Sequence, residues 1–95
     1  MTTIDTYLDT AKNLHSVSDR KLTKLLGISQ TTISFWRTRR TWPNANDMIT
    51  LARLAGMDEE IALIHLNCWK SDGNAQQVFM KIAKKLAEQK VKEFA

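Results

Sequence analysis

The chain has 95 residues, a length that supports one domain with a single modest core and excludes two independent cores. Hydrophobic residues make up 43% of it, which is typical of a globular protein and argues against disorder. No apolar run approaches the roughly 18 residues that span a bilayer, and residues 1–14 lack the pattern of a signal peptide. We therefore expect a cytoplasmic protein with no membrane partner.

The net charge of +4 is unevenly distributed. Residues 1–45 contain seven Lys or Arg against three acids, residues 46–73 two against five, and residues 74–95 five against two. Because the basic excess lies in the first half and the last segment, a polyanion would be steered to one part of the molecule.

Low glycine and proline content, with apolar residues mostly three or four apart, predicts an all-α fold of five or six helices. The first helix spans residues 4–15 and turns five residues to the core: Ile4, Tyr7, Leu8, Ala11 and Leu14. A second helix follows the cap Ser18 and stops at Gly27, where a left-handed residue is easily accommodated. Ser29 caps a third helix, residues 30–39.

After a loop that contains Pro43, Asn44 caps a fourth helix that continues to about residue 55. A fifth helix opens at Asp58 and runs to about residue 69, with acidic residues at its positive end. A sixth extends from about residue 75 to 92, with a stripe formed chiefly by Val78, Ile82 and Leu86. That stripe either covers the single core or pairs with the same stripe of another chain.

Residues 19–38 are the most informative stretch, because two short helices are joined there by a tight turn at Gly27. The apolar positions form a wedge that fixes the angle between the two helices: Leu22, Leu26, Ile28, Ile33 and Trp36. With the wedge inward, the third helix presents an outer face of polar groups and one aromatic ring, suited to base edges: Gln30, Thr31, Ser34, Phe35 and Thr38. For Phe35 the alternative is burial.

Residues 21–57, KLTKLLGISQTTISFWRTRRTWPNANDMITLARLAGM, resemble the lambda-repressor-like, Cro/C1-type helix-turn-helix family. In that family a similar GIS-Q-x-x-IS-x-W core precedes a proline-containing loop and a fourth helix. More loosely, the chain is similar to short regulators of filamentous phages and prophages, with two helices after a repressor-like domain. Three departures stand out: Asp19 where the family often has glutamine, Thr23 for alanine, and Arg37 to Arg39 for Glu-x-Gly.

The resemblance implies that the five outer residues of the third helix face bases and that Ser29 approaches phosphate. Arg20 or Lys21 is expected to replace the phosphate contact that Asp19 disfavours. Four further basic residues flank the outer face and suit phosphate contacts: Lys24, Arg37, Arg39 and Arg40. For Arg39 and Arg40 the alternative is a purely solvated charge.

Other chemistry is not indicated. His15 and His65 have no partner at metal-ligand spacing, and we expect no metal or cofactor. Cys68 near His65 has no orienting acid, so we expect no enzyme activity. The three tryptophans are interpreted as packing residues and not as stacking platforms. No pocket for a small molecule is evident.

Together these observations predict one domain: a DNA-binding core in residues 1–57, and C-terminal helices in residues 58–95 that serve dimerisation. The expected function is a sequence-specific regulator, a phage-type repressor that binds a palindromic operator as a homodimer. Two alternatives remain open: an excisionase-like protein that bends DNA, and a protein-interaction module such as an antitoxin or anti-repressor. The lysine face of the sixth helix is either solvated or a second phosphate-contacting surface.

Overall fold

The computed structural model describes residues 2–94, with side chains for residues 2–92. All regular structure in this part of the chain is helical, which confirms the predicted all-α fold. The six helices are α1 (Ile4–His15), α2 (Asp19–Leu26), α3 (Gln30–Arg37), α4 (Ala45–Leu54), α5 (Glu59–Lys70) and α6 (Gly73–Phe94). None of them is both long and apolar enough to cross a bilayer.

Short polar side chains begin most of the helices. Ser18, Ser29, Asn44 and Asp58 each accept the backbone N–H of the residue three positions on, which satisfies one of the unpaired donors of a helix start. The predicted caps of α2, α3 and α4 are therefore confirmed. These caps explain why the helices begin where the sequence placed them.

The third helix is two residues shorter than predicted. It ends at Arg37, Thr38 is its C-cap, and Arg39 adopts a left-handed conformation with φ 62°. Because a left-handed residue turns the chain out of the helix, residues 38–39 belong to the following loop.

The core lies among α1, α2, α3 and α4, with Leu66 and Ala62 of α5 added from one side. The wedge is confirmed, since four of its members are buried and Ile28 packs against them. The prediction that Leu14 belongs to the core is wrong, because this side chain is 61% exposed. Leu14 packs beside Gly56, since a Cβ added to Gly56 would lie 3.5 Å from the Cδ2 atom of Leu14. Because glycine has no side chain, Gly56 does not cover Leu14.

The last helix, α6, packs against α5. Its buried residue is Ala83, whereas Val78 and Ile82 are 55% and 40% exposed, so the predicted stripe does not cover the core. The reason is that α6 is an outer helix with one neighbour, which covers only a narrow part of its circumference. Lys90 does not contribute to a free lysine face, because its Nζ lies 2.8 Å from Asp58 Oδ2 and 3.2 Å from Glu60 Oε1.

An aromatic cluster connects α5 to the N-terminal helices. The Tyr7 hydroxyl lies 2.6 Å from His65 Nδ1, and the Trp69 Nε1–H donates to the Thr2 carbonyl at 2.9 Å. The Trp42 ring stacks on Trp69 with centroids 5.7 Å apart. These contacts join residues far apart in the sequence into one packed body.

Candidate nucleic-acid interface

The turn between α2 and α3 is fixed by backbone hydrogen bonds. Gly27 takes a left-handed conformation with φ 70°, and the N–H of Ile28 donates to the Thr23 carbonyl at 3.0 Å. The Ser29 hydroxyl then accepts the N–H of Thr32 at 3.1 Å, which starts α3. Because Gly27 leaves the helix and Ser29 already caps the next one, the chain reverses within three residues.

The inner face of α3 is held by the core, and its outer face is open. Ile33 and Trp36 are buried, whereas Gln30, Thr31 and Ser34 are all exposed. The three side chains most needed for base contact are therefore accessible. Had they been occluded inside the subunit, the helix-turn-helix interpretation would have failed.

The two remaining residues of the predicted base-facing set are placed less favourably. Thr38 is exposed, but its hydroxyl donates to the Ser34 carbonyl at 3.1 Å and lies at the C-terminal end of α3. Phe35 is half-buried, and the Arg40 guanidinium carbon lies 4.6 Å from its ring centroid. This cation–π contact gives Arg40 a defined position at the end of α3.

Basic residues on α2 flank the open face. Arg20, Lys21 and Lys24 are exposed, and none of them forms an ion pair among the side chains that the structure describes, residues 2–92. Ser29, the fourth predicted phosphate contact in this region, acts as the N-cap of α3. The three charges are therefore free to interact with an external anion.

Arg37 departs from its expected role. Its Nη1 donates to Asp5 at 3.0 Å, and its Nη2 donates to Asp9 and Asp19 at 2.9 Å each. Asp5 and Asp9 belong to α1 and Asp19 opens α2, so one guanidinium connects three helices. The charge of Arg37 is therefore engaged by three internal carboxylates, which disfavours the phosphate contact expected of it.

The charges of this Arg37 clamp (Arg37 with Asp5, Asp9 and Asp19) perturb one another. The hydrogen bond from Arg37 is the main reason that the pKa of Asp19 is lowered, although partial burial opposes it. Burial alone would lower the pKa of Arg37, but its hydrogen bonds to Asp19 and Asp9 raise it overall. Both groups are thus held in their charged forms at neutral pH. The Arg37 Nε is buried without a partner, which costs part of the gain.

Two further cations balance the acids of the clamp. Lys12 Nζ lies 3.3 Å from Asp19 Oδ1, and Arg39 Nη1 lies 2.9 Å from Asp5 Oδ2. Arg39 is therefore partly engaged within the protein, and its expected phosphate contact is weakened. Three carboxylates face three cations here, so this edge of α3 is close to neutral. The negative charge of Asp19 is therefore compensated within the protein.

From the sequence alone, Asp5 and Asp9 would be no more than solvated acids on the surface of α1. Their separation of four residues places both on one face of α1, and this spacing was the available signal. A cleft of about 260 Å³ lies beside the clamp, lined by Asp19, Gln30, Ile33, Ser34, Arg37 and Thr38. Nothing in the sequence indicated which basic residue would meet the two aspartates.

Among the described side chains, residues 2–92, no group of three His, Cys, Asp or Glu is arranged around a common point. Comparisons of the chain with protein-family models, with curated proteins and with solved structures found no match.

Proposed function

We propose that this chain is a sequence-specific DNA-binding regulator that inserts α3 into the major groove. The observation that carries the proposal is the exposed row Gln30, Thr31 and Ser34 on a helix whose opposite side is anchored by buried Ile33 and Trp36. A major groove about 12 Å wide accepts one α-helix, and residues near the helix N-terminus reach base edges.

Gln30 is the principal reading residue in this proposal. A glutamine amide can both donate and accept, and it matches the N6 and N7 atoms of adenine in a bidentate pair. The hydroxyls of Thr31 and Ser34 donate or accept and discriminate less. Sequence preference should therefore depend most on Gln30.

The phosphate contacts are assigned to four residues whose exposed charges form no ion pair with any side chain of residues 2–92: Arg20, Lys21, Lys24 and Arg40. Each phosphate that is neutralised on duplex DNA adds about 0.9 to the magnitude of the salt slope. These contacts set affinity and register, and they carry no sequence information directly.

The protein is proposed to act as a homodimer on a roughly palindromic site, as a repressor of phage type. Two of the large hydrophobic side chains that are exposed in the described part of the chain, Val78 and Ile82, share one side of α6, and this apolar patch supports a self-association face. Val78 and Ile82, four residues apart on one side of α6, form its centre. Two copies of α3 would then lie about 34 Å apart, one turn of DNA.

Selection of bound fragments from random duplex DNA tests the proposal and supplies the site. With that site, Gln30→Ala should lose about 1 to 3 kcal/mol of discrimination at one or two base pairs. Gln77→Ala is the matched control, because Gln77 is also an exposed glutamine but lies on α6. An unchanged base preference in Gln30→Ala would show that α3 docks in another register than proposed or lies outside the groove.

The phosphate assignment is tested by salt titration of DNA affinity. Arg20→Ala with Lys24→Ala should reduce the magnitude of the slope by about 1.8 and weaken specific and random DNA alike. Lys81→Ala with Lys85→Ala removes the same charge from α6 and should leave the slope unchanged if that lysine face is only solvated. Equal effects of the two pairs would extend the DNA contact to α6.

Sedimentation of the free protein and of its DNA complex tests the dimer. Ile82→Lys should shift the protein toward monomer, whereas Gln77→Lys adds the same charge to another side of α6 and should not. Monomer in both states for the unaltered protein would remove the homodimer. Strong bending with weak base discrimination would favour the excisionase-like alternative, and no DNA binding at low salt would leave a protein-interaction module.

A further inference from the structure

A pocket of about 380 Å³ lies between α5, α6 and the start of the chain. The pocket is far from α3, because among the described helices α6 packs only on α5, and α5 in turn packs on α4 and not on α3. Its wall is mostly apolar and includes Ile61, Cys68, Met80, Ala83 and Ala87. The Val78 and Ile82 side of α6 is not part of it, since these residues lie on another side of the helix from Met80 and Ala87.

Every polar group at the pocket is neutral or positive. Its polar lining residues are Thr2, His65 and Lys84, and no carboxylate lines it. Lys84 is exposed and forms no ion pair with the side chains of residues 2–92. The pocket therefore combines an apolar wall with one unused positive charge at its edge.

The His65 ring adds a second polar group of defined state. Burial lowers the pKa of His65 and raises that of Tyr7, so both are neutral at pH 7. We assign the Tyr7 hydroxyl as the donor to His65 Nδ1, at 2.6 Å, which leaves the hydrogen on Nε2. That N–H has no protein acceptor in the described residues, so His65 and Lys84 each bring an unused donor to the residues that line the pocket.

We propose that this pocket binds a small apolar carboxylate, with its hydrocarbon part against Ile61, Met80 and Ala87 and its carboxylate near Lys84. The charge at the rim selects an anion over a neutral or cationic ligand of the same shape. A cavity of about 150 Å³ accommodates benzene, so this volume suits a ligand of about 10 to 15 heavy atoms. Both a medium-chain fatty acid and a bicyclic aromatic acid meet that description.

Calorimetric titration with octanoate, 1-naphthoate and 1-octanol tests the inference, and the first two distinguish an aliphatic from an aromatic source. At least one carboxylate should bind, and octanol should bind at least about tenfold more weakly than octanoate if the aliphatic acid is preferred. Lys84→Gln should weaken the affinity for the carboxylate that binds by about tenfold. Lys81→Gln is the matched control, since Lys81 is exposed on α6 but does not line the pocket.

Methyl NMR locates the bound ligand. Resonances of Ile61 and Met80 should shift, whereas those of Val78 and Ile82 should not, and Ala87→Phe, which fills the pocket from its edge, should abolish the shifts. Failure of both carboxylates to bind at millimolar concentration would overturn the inference, and so would equal affinities of Lys84→Gln and Lys81→Gln. The assay contains no DNA, so its result is independent of the function proposed for α3.

Discussion

Replacing Arg37 by methionine removes the cation that joins α1, α2 and α3 while keeping an apolar side chain of similar length. Ion pairs between partly exposed groups contribute about 0.2 to 1 kcal/mol each, and Arg37 makes three of them. Its side chain is 25% exposed, so solvent screens these pairs less than at a free surface. The substitution also leaves neighbouring carboxylates without their shared cation. We expect a loss of about 2 kcal/mol, or about 10 °C in Tm for a domain of this size.

Urea unfolding followed by tryptophan fluorescence measures this loss, with Arg20→Met as the matched control. Arg20 is exposed on α2 and has no carboxylate partner in the part of the chain with described side chains, so its replacement should change stability by less than about 0.5 kcal/mol. The difference between the unaltered protein and Arg37→Met should shrink in 1 M salt, where charges are screened within about 3 Å.

The pH dependence provides a second readout. Since folding lowers the pKa of Asp19, its contribution to stability is present above the unfolded pKa of about 3.9 and is lost as the pH falls through the folded value. Arg37→Met removes the main cause of that shift, so its stability should fall less steeply on acidification. A loss that is the same at all salt and pH values, or no larger than in Arg20→Met, would refute the clamp. In DNA titrations at a temperature where the variant is folded, the salt slope should remain unchanged.

Ser16 ends α1 with φ 54°, so Ser16→Gly should relieve left-handed strain and raise the free energy of unfolding by about 1 kcal/mol in a urea titration. Gly27→Ala should lower the free energy of unfolding by about 1 to 2 kcal/mol. An added Cβ meets nothing within 4 Å, so only the backbone cost at φ 70° remains. A loss above about 3 kcal/mol would mean that the turn itself rearranges. Tyr7→Phe should cost about 1 kcal/mol through the lost hydrogen bond to His65, and a neutral result would contradict that bond. Burial lowers the pKa of His65, so the unfolded chain binds the proton more readily and stability should fall as the pH drops below about 6.5; His65→Gln should remove this part of a pH titration of unfolding.

Local signals in the sequence determined the helices and the helix-turn-helix. Ser18 and Ser29 satisfy helix N-termini, Gly27 takes the left-handed conformation that ends α2, and the spacing of Ile33 and Trp36 identifies the buried side of α3. Each of these features depends on residues within about one or two turns of each other. That is why the exposed row on α3 could be predicted from the sequence alone.

Features formed between distant helices were decided by the tertiary structure. Asp5 and Arg37 are 32 positions apart in the sequence, and Tyr7 and His65 are 58 positions apart. No sequence pattern around one residue of either pair indicates which residue it contacts. The same holds for α6, whose period identified a stripe at Val78 but left open whether it covers the core, whereas in the structure α5 covers the Ala83 side. A helical period establishes which residues share a side of a helix, but the crossing angles and the number of neighbouring helices decide which side is covered and which charges meet.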